Sequence, residues 1–142
     1  GNVAQAVGLA DHMEKMGYRL DVYTYGVLIN GLCKTGGTLA AVGWLRKMEE
    51  RNWKPNVVVY STIMDGLCKD GLVSEALNLC SEMNGKGVRP NLVTYACLIQ
   101  GLCNFGRWKE AGSLLDEMMK MGMRPDLQTL NILVDAFCKE GK

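Results

Sequence analysis

Six cysteines, one histidine and a scatter of carboxylates are the residues of this chain that could carry out covalent, metal or acid–base chemistry. Four of the cysteines, Cys33, Cys68, Cys103 and Cys138, recur at a spacing of 35 residues, while Cys80 and Cys97 occupy apolar positions elsewhere. No two form the Cys-x-x-Cys pair that zinc sites use, and His12 is the single imidazole, so a metal centre has neither spacing nor partners. A cysteine on an apolar stripe behaves as a small hydrophobe, and the pattern predicts buried, reduced core thiols. No nucleophile with an adjacent base, no carboxylate pair and no phosphate-cradling loop stands out. The chain therefore reads as a non-enzyme that needs no cofactor.

What the cysteine spacing does reveal is a period. Tyr25, Tyr60 and Tyr95 also stand 35 residues apart, each followed by an apolar stretch, then Gly-Leu-Cys, then a second apolar stretch ending in Met. A unit this short cannot bury its apolar side alone and must stack on its neighbours. The 142 residues, 48% of them hydrophobic, therefore read as a row of small cores rather than one globular core. Lys plus Arg number 16 against 15 Asp plus Glu, and this net charge of +1 announces neither a nucleic acid nor a membrane. No run approaches the roughly 18 apolar residues of a membrane span. The start, Gly1-Asn2-Val3-Ala4, has no basic region followed by a hydrophobic segment, and it falls inside a repeat, as in a piece of a longer array.

The elements that must position any site are helices. Tyr60, Ile63, Met64, Leu67 and Cys68 fall on one face of an α-helix, and Gly71 stops it. Val73, Ala76, Leu77, Leu79, Cys80 and Met83 form a second stripe, closed by Gly87 and Pro90. No stretch alternates long enough to argue a strand. Gly31, Gly66 and Gly101 sit inside first helices, where glycine costs roughly 1 kcal/mol relative to alanine. Together with Ala6, Ala41, Ala76 and Ala111 in the second helices, they predict that two backbones approach closely. Met13, Met48, Met83 and Met118 read as core filler. The boundaries are a partial unit over 1–21, complete units over 22–56, 57–91 and 92–126, and a partial unit over 127–142. Exposed apolar faces on the terminal helices predict self-association.

These units resemble the pentatricopeptide repeat family in its standard 35-residue form. The resemblance is carried by Val58-Val59-Tyr60-Ser61-Thr62-Ile63-Met64-Asp65-Gly66-Leu67-Cys68-Lys69-Asp70-Gly71, by Glu75-Ala76-Leu77, and by Glu82-Met83 with Gly87-Val88-Arg89-Pro90-Asn91. It covers essentially the whole chain. Leu20 stands where proline is usual, Leu130 replaces the tyrosine, Ala136-Phe137 replaces Gly-Leu, and Asn52-Trp53 replaces a glycine and a small apolar residue, so the first and last units are expected to sit less regularly. The family implies an all-α solenoid of helix-turn-helix repeats, wound as a right-handed superhelix whose first helices line a groove for single-stranded RNA, about one base per unit.

Two residues per unit are implied to read the base: the one after the tyrosine and the last of the unit. An Asp carboxylate accepts the ring N–H of guanine or uracil, whereas an Asn amide donates to the bare ring nitrogen of adenine or cytosine. On this reading Ser61 with Asn91 favours adenine. Ala96 with Asp126 favours guanine, with uracil the alternative, and Gly26 with Asn56 leans to adenine or cytosine. Asp21 ends a unit whose first helix is missing, and Asn131 begins one whose last residue is missing and suggests a pyrimidine. Tyr23, Val58, Val93 and Gln128, second in their units, resemble the side chains that wedge bases; the plainer reading of the valines is a helix-entry staple. Lys34, Lys69 and Lys139 end first helices, favouring the helix dipole or, as in the family, reaching phosphate, and Asn104 interrupts their row.

The Gly-Leu-Cys-Lys run resembles the fertility-restorer-like members of plants. That resemblance implies a mitochondrial site of action, with the chloroplast as alternative, and a role in organelle RNA processing, stability or translation. The competing function is a protein-binding helical scaffold of the tetratricopeptide kind, which the unslipping 35-residue period and the Pro-Asn or Pro-Asp exits disfavour.

Overall fold

The computed structural model describes residues 2–139. It contains eight helices: α1 (Asn2–Lys15), α2 (Val22–Lys34), α3 (Thr38–Glu50), α4 (Val57–Lys69), α5 (Val73–Gly85), α6 (Leu92–Asn104), α7 (Trp108–Lys120) and α8 (Leu127–Lys139). No strand occurs among the described residues. Helices α2 with α3, α4 with α5 and α6 with α7 form hairpins, as the two apolar stripes of each unit require.

Each first helix begins on a side chain. Asp21, Asn56, Asn91 and Asp126 accept the backbone N–H of Thr24, Val59, Thr94 and Thr129 at 2.9, 3.0, 3.0 and 2.8 Å, satisfying an N–H that the helix itself leaves unpaired. The helix ends are equally regular. After α4 the Leu72 N–H returns to the Leu67 carbonyl and the Gly71 N–H to Cys68, with Gly71 at φ +81°. This is the Schellman closure that a left-handed residue permits. Asn52 takes the same place after α3 with φ 66°, so the residue that departs from glycine still makes the turn. Its neighbour Trp53 fills the space beyond: the indole N–H donates to the Leu20 carbonyl at 3.1 Å, and Arg19 lies 4.6 Å above the ring. Two departures from the repeat pattern, 33 residues apart, are thus partners, and the expected irregularity is absorbed locally.

The helices form two layers. α2, α4, α6 and α8 pack on one another in a row, whereas among the described residues no two of α1, α3, α5 and α7 pack directly. Each second helix instead seats between first helices. A core ribbon runs between the layers, with Tyr25, Tyr60, Tyr95, Met48, Met83 and Met118 essentially inaccessible. The second helices are tied across the outside by long charged side chains: Arg46 Nη2 to Glu82 at 2.9 Å, Lys47 to Asp11 at 2.9 Å, Arg51 to Glu14 at 3.4 Å, and Lys86 to Glu49. Direct packing in one layer and bridging by extended side chains in the other make the first-helix layer the shorter, concave side.

Close approach occurs at Gly66 and Gly101 but not at Gly31, whose nearest neighbour, Val3, would lie 3.5 Å from an added Cβ, and it is not against the alanines. A Cβ on Gly66 would stand 2.8 Å from Thr38 Oγ1, and one on Gly101 would stand 2.7 Å from Cys68 Sγ. Ala41, Ala76 and Ala111 are buried elsewhere in the core, and Ala6 is exposed because no first helix covers it. The thiols also divide. Cys68 and Cys80 are buried and Cys33, Cys97 and Cys103 half-buried, but Cys138 is exposed because nothing packs on its side of α8; all six are reduced.

Candidate nucleic-acid interface

The uncovered side of the first-helix row carries the residues singled out above. In α2 exposed Tyr23, Val27, Asn30 and Lys34 form one helical stripe with half-buried Gly26, and the same register recurs along α4 and α6, where Ser61 is buried against α6. Tyr23, Val58 and Val93 are 75%, 64% and 64% exposed, so none of them serves as a packed helix-entry staple.

Two clefts open between successive first helices. The first is lined by Tyr23, Gly26, Asn30, Asn56, Val58 and Thr62 among others, so Gly26 and Asn56, separated by 30 residues, meet across it. The second, of about 370 Å³, is lined by Val58, Ser61, Asn91 and Val93 together with Lys34 and Lys69. That volume is at the small end of the range for ligand clefts, which suits a single planar group rather than an extended chain. Val58 lines both clefts and stands between them. Farther along, Ala96 is half-buried, Asn131 and Gln128 are exposed on α8, and Lys139 lines a separate cleft with Asn104 and Trp108.

Each unit's last residue also caps the next first helix, a duty that sequence reasoning missed. Because a backbone N–H can only donate, the atom of Asn91 facing Thr94 is its Oδ1, and what remains is the NH2 group. At Asp126 one carboxylate oxygen is used in the same way by Thr129, and what remains is a second acceptor oxygen. The Asp-or-Asn choice therefore leaves the helix start unchanged while reversing the polarity offered beyond it. The cap bonds, that from Thr24 and that from Thr129, hold the Asp21 and Asp126 carboxyls below the usual range, so both are ionised at neutral pH. An Asn or Asp just before an apolar-periodic run is a helix-start signal, and it was available in the sequence.

The lysine row is less free than its spacing implied. Lys69 pairs with Asp65 at 2.9 Å and Lys139 with Asp135 at 3.0 Å, both one helical turn back, whereas Lys34 has Asn30 at that place and no ion pair among the described residues. Asp65 also lines the second cleft with Cys33 and Cys97. Burial pushes the Cys33 thiol up to about 11 and Cys97 higher still, so neither is a nucleophile at neutral pH. Among the described residues no group of His, Cys, Asp and Glu could hold a metal, and no helix is long and apolar enough to cross a membrane.

Fold and groove together define an α-solenoid of repeated helical hairpins whose concave face joins exposed apolar side chains to a few polar ones. The chain belongs to the PPR repeat family, whose sequence profile matches residues 1–34, 27–69, 55–104 and 90–139. It superimposes with a TM-score of 0.86 on the pentatricopeptide repeat protein PPR10 from maize, at 30% identity over 97% of this chain and 20% of that one. It thus spans about a fifth of the length of that protein. PPR10 in complex with an 18-nt psaJ RNA element matches at a TM-score of 0.80, also at 30% identity and over 97% and 20% of the two chains. The PPR domain of Arabidopsis thaliana protein-only RNase P 1, solved in complex with tRNA, matches at 0.84 with 18% identity over 99% of this chain and 74% of that domain, a likeness of fold. No curated protein sequence matches the chain.

Proposed function

We propose that this chain is a sequence-selective module for single-stranded RNA, reading about one base per unit along its concave face. The observation that carries the reading is the cleft between α4 and α6, where Ser61 and the Asn91 amide meet between Val58 and Val93 with Lys34 at the rim. A base sliding between the two valines would present its pairing edge to Asn91, whose free NH2 donates to the bare ring nitrogen of adenine, while its backbone phosphate lies toward Lys34. Gly26 and Asn56 hold the preceding base, Ala96 and Asp126 the following one, and the order is an adenine or cytosine, then adenine, then guanine with uracil the alternative. Tyr23 supplies the stacking face at the first step, worth about 1 to 3 kcal/mol where an aromatic is used. Asn131 and Gln128 begin a further register on α8 and Asp21 closes an earlier one. The maize relative with an RNA element bound supports the class of ligand.

The plant-type Gly-Leu-Cys-Lys run supports a place in organelle RNA processing, stability or translation, in mitochondria or else in chloroplasts. The test is a competition between short single-stranded RNAs that differ only at the central position. Adenine should be held most tightly, binding should weaken with salt, and an affinity indifferent to both changes would refute the reading.

A further inference from the structure

The reading hydroxyl of Ser61 is not a free group. It is 4% exposed, and its Oγ lies 2.7 Å from Oγ1 of Thr94, a wholly buried residue of the next unit. Thr94 Oγ1 has three neighbours: the Asn91 backbone N–H at 3.2 Å, Asn91 Oδ1 at 3.1 Å, and Ser61. Asn91 Oδ1 cannot donate, so the single Thr94 proton lies on the line to it, since otherwise two lone pairs would face each other. The Asn91 N–H takes one lone pair of Thr94, and the other is left for Ser61. The arrangement that satisfies all three contacts at once has Ser61 as donor to Thr94, and the serine oxygen then offers the cleft acceptor lone pairs alone.

We propose that Thr94, which lies behind both reading residues, is a specificity-positioning residue that locks Ser61 as an acceptor while Asn91 is locked as a donor. This rests on the RNA reading above. An acceptor beside a donor matches adenine, which presents an amino group next to a bare ring nitrogen. It mismatches guanine and uracil, whose carbonyl oxygen stands next to a ring N–H. Without the Thr94 hydroxyl, Ser61 is free to rotate and donate, and the carbonyl bases are no longer opposed at that place. Neither adjoining unit has this device: Val59 takes the place of Thr94 behind Gly26, and Thr129 takes it behind Ala96, which has no hydroxyl.

The test uses Thr94→Val, because valine already holds this register as Val59, whose N–H bonds Asn56 Oδ1 at 3.0 Å. Binding of the 142-residue chain to oligonucleotides with A, G or U at the central position gives the A-over-G and A-over-U ratios. T94V should lower both by about tenfold, the scale of one hydrogen bond. T94S, which keeps the hydroxyl, should restore them. In an S61A background T94V should change nothing further, because the group it orients is gone. If the unmodified chain shows no base preference, the RNA reading falls and the Thr94 role with it. If the unmodified chain prefers adenine and T94V keeps the same ratios, the Thr94 role alone is overturned.

Discussion

At the four unit ends, Asp21, Asn56, Asn91 and Asp126 each commit one side-chain oxygen to a backbone N–H, so only the second terminal atom remains free. Asn91→Asp keeps the committed oxygen and turns the free amide into a carboxylate. Competition binding should show preference at the central position moving from adenine toward guanine, with the unfolding midpoint nearly unchanged because Asp and Asn cap about equally well. The buried thiols give a pH prediction. Burial raises Cys33 and Cys68 to about 11 from 9.0, so below pH 9 neither state titrates there. Above that the unfolded chain releases its thiol protons while the folded chain holds them, and stability falls as pH rises from about 9 to 11. Thermal unfolding across that window should show the decline, and replacing both cysteines by alanine should shallow it. Cysteine chemistry was legible as packing, but the Cys138 exception depended on which side of α8 is covered.

At the scale of the helix, the mid-helix glycines separate into two kinds that look alike in sequence. A Cβ at Gly101 meets both Sγ and Cβ of Cys68, at 2.7 and 2.9 Å, so α4 and α6 must move apart. At Gly66 the obstruction is the Thr38 side chain, whose hydroxyl at 2.8 Å has no hydrogen-bond partner. Gly101→Ala should cost about 1 to 3 kcal/mol, as overpacking does, and Gly66→Ala somewhat less. Gly26, in the groove, has nothing within 4 Å, so Gly26→Ala should instead stabilise by about 0.5 to 1 kcal/mol through helix propensity alone. Denaturant titration of the three variants checks the order. Recurrence singled out Gly31 along with Gly66 and Gly101, but only the latter two are crowded, and the atoms that crowd them lie in the neighbouring unit, invisible without the fold.

For the whole molecule, charge and apolar surface make separate predictions. Two of the three groove lysines are paired with Asp65 and Asp135, so few phosphates can be neutralised. The slope of log affinity against log salt should be shallow, about −1 to −2 on the single-strand scale. Asp65→Asn, by releasing Lys69, should steepen it. Leu130 and Val134 of α8 are 39% and 60% exposed, whereas Tyr95 and Ile99 at the same registers of α6 are buried. Sedimentation of the 142-residue chain should therefore show concentration-dependent association, and Val134→Glu should reduce it.

The repeat, the helical hairpin and the register of the concave stripe were legible in the residues alone, because they follow from periods of 35 and 3.6 residues that neighbouring positions enforce. The identity of the reading residues came through resemblance to the family, and their cap signal was local and legible. Tertiary structure alone decided what touches across units: Trp53 on Leu20, Cys68 against Gly101, Asp65 in the cleft, and Thr94 behind Ser61. Those contacts join residues about one repeat apart or bring a variable side chain to a shared edge. Periodicity says that such positions face each other, but only packing says which atoms meet, which of them holds the proton, and which remains free to bind.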